Sequence, residues 1–317
     1  MKKVNVLGID GGGTKTEVVL MDENYQVIGS AKSGPSNYQS VGIEVAKKSI
    51  KTAINQAITN SNSHHEISGI CLGLAGVGRP EDVRVVENFL QEIIANLPIK
   101  WDLQPNTIII CSDSPIALVG GIGHSVGIVT MAGTGSQIFG QNSQGLTKRV
   151  GGWGYLLGDE GSGYNIAIRG LQAALKSYDG RELPTTLITD FQAYLGLTNI
   201  ESLIEVIYRR GWGPTQIAAL APIVSAAADK GDKVAKKIIN DAVEELSIAT
   251  KIVISTLFQP HETFEVVTIG SVWKSMINFR SQFEDSIIAV APAAKIIWPR
   301  NQPAYGAGIL ALKAIAM

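Results

Sequence analysis

Two stretches decide the fold: Val4-Asn-Val-Leu-Gly-Ile-Asp10-Gly-Gly-Gly-Thr14-Lys-Thr16, and Val126-Gly-Ile-Val-Thr-Met-Ala132-Gly-Thr-Gly-Ser136. Each is a short β-prone run that ends in a glycine- and threonine-rich turn and re-emerges as a second apolar run, Thr16–Met21 in one case and Gln137–Gly140 in the other. A third run follows each time, Val27–Ala31 and Leu146–Val150. Gly13 and Gly133 lie 120 residues apart, and at the same interval Asp22-Glu-Asn24 falls opposite Asn142-Ser-Gln144. One fold, duplicated within the chain, explains both halves.

Outward from the first stretch, Val41–Ile58 carries Ile43, Ala46, Ile50, Ile54 and Ala57 at helical spacing, with Ser40 as the expected N-cap. Strand Ile67–Leu74, a helix from Pro80 to about Leu97 and strand Thr107–Cys111 follow. Strands that alternate with helices predict an α/β unit with parallel central strands. Outward from the second stretch, helices are expected near Tyr164–Lys176, Thr186–Leu195, Ile200–Arg210, Thr215–Lys230 and Lys233–Phe258. A strand at Phe264–Ile269 then runs into Gly270. The last segment, Ala304–Ala316, reads as an apolar helix that packs back onto the first half.

The chain has 317 residues, enough for two domains, and 45% hydrophobic with 17% charged residues exclude a disordered or fibrous protein. Lys+Arg 27 against Asp+Glu 28 leaves a net charge of -1, without the basic excess that binding nucleic acid needs. Cys71 and Cys111 lie in apolar runs and read as reduced core thiols. The apolar run Val4–Ile9 after Lys2 and Lys3 is too short for a signal peptide. The uncharged segment Ser114–Thr147 is too rich in glycine for a membrane span. The expectation is a cytoplasmic protein. His64-His65 reads as a solvated turn.

Four motifs carry chemistry. Gly11-Gly12-Gly13-Thr14-Lys15-Thr16 lets backbone N–H groups approach phosphate oxygens, and Asp10 at the strand end suits Mg²⁺ or its water shell. A strand follows, so neither a P-loop nor a dinucleotide fingerprint fits; a tight hairpin without a ligand is the bland alternative. Gly133-Thr134-Gly135-Ser136 repeats the turn, and two such turns can clamp a polyphosphate, which points to ATP. Ser112-Asp113-Ser114 places a carboxylate at the end of an apolar strand, where it can serve as general base for an attacking hydroxyl or cap the helix that begins near Pro115. Gly151–Gly163, with six glycines, Trp153, Asp159 and Glu160, can bring backbone, an aromatic ring and carboxylates to a sugar; alternatively it is a loop that starts a helix at Asp159–Ser162. Gly270-Ser271 after a strand suits a nucleotide base and ribose, or is a plain strand-to-helix turn.

Together these residues resemble the sugar kinase branch of the actin/hexokinase/Hsp70-like ATPases. Within it they resemble the N-acetylglucosamine kinase group of the BadF/BadG/BcrA/BcrD ATPase family. Gly-Gly-Trp-Gly followed by Gly-Asp-Glu-Gly-Ser, with Gly-Ser-Val-Trp-Lys-Ser downstream, carries the resemblance. It implies two duplicated ribonuclease-H-like (actin-like ATPase) α/β domains around a cleft, each a mixed five-stranded sheet flanked by helices. They would cover 1–116 plus 303–317, and 117–302 with a helical insertion. It implies transfer of phosphate from Mg-ATP to the 6-hydroxyl of an amino sugar, N-acetylglucosamine first. By the same resemblance Asp113 is the base and Asp10 holds Mg²⁺ through water. Asn37, Thr134, Gly152, Trp153 and Asp159 lie at the sugar with Asp113. Gly12, Gly13, Thr14, Lys15, Gly133, Thr134, Gly270 and Ser271 meet the nucleotide. The turn that usually carries threonine before Asn37 has Ser36. The alternatives are a 2-hydroxyacyl-CoA dehydratase activator, a glucosamine or other hexose kinase, and a sugar-sensing protein without turnover. A homodimer is the expected assembly.

Overall fold

A computed structural model describes residues 4–61, 66–209 and 211–316. The chain divides into two compact units, Met1–Ser125 with Pro299–Met317, and Val126–Trp298. His64-His65 lies outside the described residues.

In the first unit, β1 (Asn5–Gly11), β2 (Thr16–Asp22) and β3 (Val27–Ser33) form the expected antiparallel meander. The chain continues through α1 (Tyr38–Val41), α2 (Ile43–Thr59), β4 (Glu66–Leu74), α3 (Pro80–Ala95), β5 (Lys100–Trp101), β6 (Ile108–Cys111) and α4 (Asp113–Ile122). The helix expected over Val41–Ile58 is interrupted at Gly42, whose φ of 81° is left-handed, so Asn37 caps α1 and Ser40 lies inside it. The sheet has six strands where five are expected. β4 pairs in parallel with β1 on one side; on the other, its start pairs with β5 and its end with β6. β5 is two residues long, too short for periodicity to reveal.

In the second unit, β7 (Gly127–Ala132), β8 (Ser136–Gln141) and β9 (Thr147–Gly151) repeat the meander. Then come α5 (Gly163–Tyr178), α6 (Leu187–Leu195), α7 (Pro214–Ala218), α8 (Ala221–Asp229), α9 (Lys233–Leu257), β10 (Glu265–Ile269), α10 (Val272–Ser275), α11 (Phe279–Ile288) and β11 (Lys295–Ile297). The five strands lie in the order β11-β10-β7-β8-β9, with β7, β10 and β11 parallel. This matches β6-β4-β1-β2-β3 in order and direction. The duplication reaches the β-turns: Asp22 Oδ1 accepts from the amides of Asn24 and Gln26, and Asn142 Oδ1 from those of Gln144 and Leu146. The helix expected over Thr215–Lys230 breaks into α7 and α8 because Pro222, without an N–H, stands in the first turn of α8. The segment expected as a helix over Ile200–Arg210 holds a 3₁₀ turn at Ile200–Ser202 and a π-helical stretch at Glu205–Arg209.

The chain returns to the first unit as α12 (Pro303–Ala316). A Cβ on Gly8 of β1 would lie 2.3 Å from the Ala304 carbonyl oxygen, so α12 rests directly on the central strand. A Cβ on Gly306 would lie 2.1 Å from the Ile116 carbonyl oxygen and 2.3 Å from the Gly120 nitrogen, so α12 and α4 touch backbone to backbone. Ala304, Ala307 and Ala311 fill the contact with Val6, Cys71 and Ile116. That packing holds the whole of α4 in the first unit. The division therefore falls at 125/126 and 298/299, and not at 116/117, which would cut α4.

Candidate active site

In the first unit, β1, β4 and β6 run parallel, and Gly11 is level with Leu74 and Gly73 with Cys111. Their C-terminal ends thus share one sheet edge, the usual ligand edge of an α/β sheet. Asp10, near the end of β1, and Asp113, just past β6, meet there. Burial raises the Asp10 carboxyl from 3.8 to about 7, with the charge of Asp113 as the second cause. Burial also raises Asp113, against the lowering effect of the Ser114 hydroxyl and the amides of Asp113 and Ser114 at the start of α4. Ser112 occupies the N-cap position, and Asp113 is the first helical residue.

The β1–β2 turn closes through the Gly12 amide, which donates to the Lys15 carbonyl at 2.9 Å. Nothing lies within 4 Å of a Cβ built on Gly13, so the tip of the turn is open. Lys15 Nζ pairs with Glu17 at 2.7 Å. The Gly12 carbonyl accepts from the amides of Ser36 and Asn37, and the Thr16 hydroxyl donates to the Gly34 carbonyl and is hydrogen-bonded to Ser36 Oγ, both at 2.7 Å. The turn that carries Asn37 is thereby tied to the glycine turn. Asn37 Oδ1 caps α1 through the Gln39 amide at 3.2 Å. Its amide nitrogen makes no hydrogen bond to the described residues. Sequence reasoning missed Asp82, which steadies this turn. Its carboxylate accepts from Tyr38 Oη at 2.7 Å and from the amides of Gly78 and Arg79. The Arg79 guanidinium and these donors hold it well below the ordinary carboxylate range.

In the second unit, the Gly133 amide donates to the Gly135 carbonyl at 2.9 Å, and the Gly133 carbonyl accepts from Gly163 at the start of α5 at 2.8 Å. A Cβ on Gly270, with φ of 123°, would lie 2.1 Å from the Ala132 carbonyl oxygen and 2.9 Å from the Gly133 nitrogen. Only glycine lets the β10 turn seat against the β7–β8 turn. Beside them is a cavity of about 300 Å³, lined by Gly133, Thr134, Ser271, Thr215, Pro222 and Met276 among others. Gly133, Thr134 and Ser271 are expected there. Thr215 and Met276 have no sequence signal, since nothing local marks them as neighbours of a glycine turn. Trp273, from the same Gly270–Ser275 motif, is core, packed against Phe279 and Phe283.

The Gly151–Gly163 loop folds onto this turn. Asp159 is buried with φ of 60°, and its carboxylate, accepting from the amides of Ser136 and Gly154, is raised by burial. A Cβ on Gly135 would lie 2.6 Å from Asp159 Oδ2. Ser136 Oγ donates to the Glu160 carbonyl at 2.7 Å, and Ser162 caps α5 through the Asn165 amide at 3.1 Å. The helix-start reading of this segment is therefore correct for Ser162, while Asp159 serves the loop. The Gly152 amide donates to the Ser136 carbonyl, and Trp153 is 66% exposed.

No group of three or more His, Cys, Asp or Glu that could cage a metal occurs among the described residues. Mg²⁺ keeps several waters and takes one or two carboxylates plus phosphate oxygens. A partly buried Asp10 without a hydrogen-bond partner among the described residues, with Asp113 near it, fits that ion. Among the described residues no helix is long and apolar enough to cross a membrane. Cys71 is a buried free thiol, raised by its hydrogen bond with Cys111 and then by burial, while Cys111, expected in the core, is half-buried.

Duplicated mixed sheets with glycine turns at matching strand ends define the class by its fold, that of the actin-like ATPases and hexokinases. The chain belongs to the BadF/BadG/BcrA/BcrD ATPase family, whose model matches residues 7–311. It is 37% identical over 307 residues to an N-acetylmuramic acid/N-acetylglucosamine kinase of Clostridium acetobutylicum, which covers 96% of this chain and 97% of that one. It is 33% identical to an N-acetyl-D-glucosamine kinase of Dictyostelium discoideum over 98% and 99% of the two chains. A solved structure from Chromobacterium violaceum, assigned as an N-acetylglucosamine kinase, shares the fold with a TM-score of 0.75 at 23% identity, covering 98% of this chain and 99% of its own.

Proposed function

We propose that this protein is an ATP-dependent amino-sugar kinase that transfers the γ-phosphate of Mg-ATP to the 6-hydroxyl of N-acetylglucosamine. The observation that carries the reading is the meeting of Asp10 and Asp113 at one sheet edge beside an open glycine turn. Full-length relatives named as kinases of this sugar support it.

In this reading Asp113 accepts the proton of the attacking hydroxyl, and burial, which raises its carboxyl, makes it a stronger proton acceptor than an exposed aspartate. The free amide nitrogen of Asn37, the carboxylate of Asp159, Gly152, Thr134 and the ring of Trp153 hold the sugar. The amides of Gly13 and Thr14, with Lys15, and that of Thr134 donate to phosphate oxygens, while Gly12 and Gly133, whose amides close the two turns, let the phosphates approach the backbone. Gly270 and Ser271 flank the cavity that takes the nucleoside. Mg²⁺, held by Asp10 through water, supplies charge neutralisation on the phosphates.

The test is ADP release from Mg-ATP without sugar and with N-acetylglucosamine, glucosamine, N-acetylmannosamine or glucose. Turnover that depends on an amino sugar and falls at least about 10³-fold in Asp113→Asn supports the reading. Equal hydrolysis with every sugar and with none refutes it. The reading extends to a cytoplasmic homodimer, since closed two-fold assemblies are the commonest; a monomeric mass by light scattering would remove the dimer.

A further inference from the structure

We infer that Arg149 is a specificity-determining residue that admits amino sugars bearing a carboxylate ether, such as the lactyl group of N-acetylmuramic acid. The inference rests on the kinase reading and on the placement of Trp153 at the sugar.

Arg149 lies on the edge strand β9, opposite Phe139, two residues before the Gly151–Gly163 loop. Its guanidinium carbon stands 5.0 Å from the centroid of the Trp153 ring. The backbone between them is rigidly specified. Gly151 and Gly152 have φ of 74° and 71°, and a Cβ on Gly152 would lie 2.0 Å from Gln137 Oε1. A Cβ on Gly158 would lie 3.2 Å from Trp153 Cβ and 3.7 Å from its ring Cδ1, so the loop packs against Trp153 while the Arg149 cation stands over its ring.

The cation also lacks an anion. Arg149 forms no ion pair with the described residues, whereas Arg169, Arg181, Arg209 and Arg280 each face a carboxylate. Asp159 of the following loop forms no ion pair with Arg149; its carboxylate accepts from the amides of Ser136 and Gly154. A guanidinium over an aromatic ring makes no hydrogen bond to it through its fork, and that fork matches a carboxylate in two parallel hydrogen bonds. N-acetylglucosamine has no charged group to use it. A sugar with a carboxylate on an ether arm has one, and the ring that covers the sugar sets the arm's distance from the guanidinium. The Clostridium relative is named for both sugars.

The experiment compares kcat/KM for N-acetylmuramic acid and N-acetylglucosamine in the wild type, Arg149→Met and Arg149→Lys. Methionine keeps an apolar stem over Trp153 and removes the charge; lysine keeps the charge and removes the fork. Expected for Arg149→Met is a loss of about 10- to 100-fold on N-acetylmuramic acid, seen in KM, with N-acetylglucosamine within about 3-fold. Arg149→Lys should recover part of the loss. An equal loss on both sugars, or a wild type that phosphorylates N-acetylglucosamine and not N-acetylmuramic acid, overturns the assignment. A wild type that phosphorylates neither removes the kinase reading itself, and with it this inference.

Discussion

Asp10→Asn should make the protein more stable and less active, and the gain should depend on pH in a calculable way. The Asp10 carboxyl is raised from 3.8 to about 7, chiefly by burial and then by Asp113. Between those two values the folded chain holds a proton that the unfolded chain has released, so wild-type stability falls as pH rises through that window. At about 1.4 kcal/mol per tenfold, the ionisable carboxyl costs roughly 2 kcal/mol at pH 5 and about 4 kcal/mol at pH 8, where it is charged. Asparagine is nearly isosteric and never ionises, so the variant is relieved of this cost. Urea denaturation of both proteins from pH 5 to pH 8.5 measures the difference. The transition of the first unit should move to higher urea in the variant, increasingly so towards pH 8. Millimolar Mg²⁺ with ATP should narrow the gap by stabilising the wild type more than the variant. A gap that stays constant with pH, or that closes as pH rises, would refute the account of Asp10 as a desolvated carboxylate awaiting a cation.

Gly270→Ala should lose nucleotide affinity by at least tenfold and destabilise the second unit by about 2 kcal/mol or more, since its Cβ meets the Ala132 carbonyl at 2.1 Å; isothermal titration with an ATP analogue checks this. Tyr25 has a left-handed φ of 62° in the β2–β3 turn, where the second unit has Gly145 at 81°. Tyr25→Gly should therefore stabilise the first unit by about 1 kcal/mol in thermal denaturation, because its side chain is 46% exposed and little packing is lost. Trp153→Ala should raise KM for the sugar about tenfold or more with a smaller change in KM for ATP, as steady-state kinetics in both substrates will show.

Much of each β-meander is legible in the sequence because its signals are local. β1, β2, β7 and β8 announce themselves as apolar runs on either side of a glycine turn, and the repeat of Asp22 at Asn142 exposes the duplication. Ser162 and Pro80 mark helix starts through side-chain chemistry that needs no tertiary partner. Other features leave no such trace. β5 and β11, of two and three residues, exist only because β4 and β10 offer them an edge. Asp82 reads as a routine first-turn acid of α3, and only folding delivers Tyr38 to it. Thr215 and Met276 line a cavity with Gly133 although each sits in a different element.

Local pattern alone specifies the longer strands and helices, their alternation, the two phosphate-suited turns and the residue types available for acid–base work. Periodicity and turn chemistry act over a few residues and survive in any context. Tertiary structure alone decided that Asp10 and Asp113 share an environment, that α4 stays with the first unit, and that Arg149 rests on Trp153. Those relations arise when apolar strand faces are buried and parallel strands from distant parts of the chain bring their ends to one edge. The altered proton affinity of Asp10 is a consequence of that burial, and no local pattern encodes it.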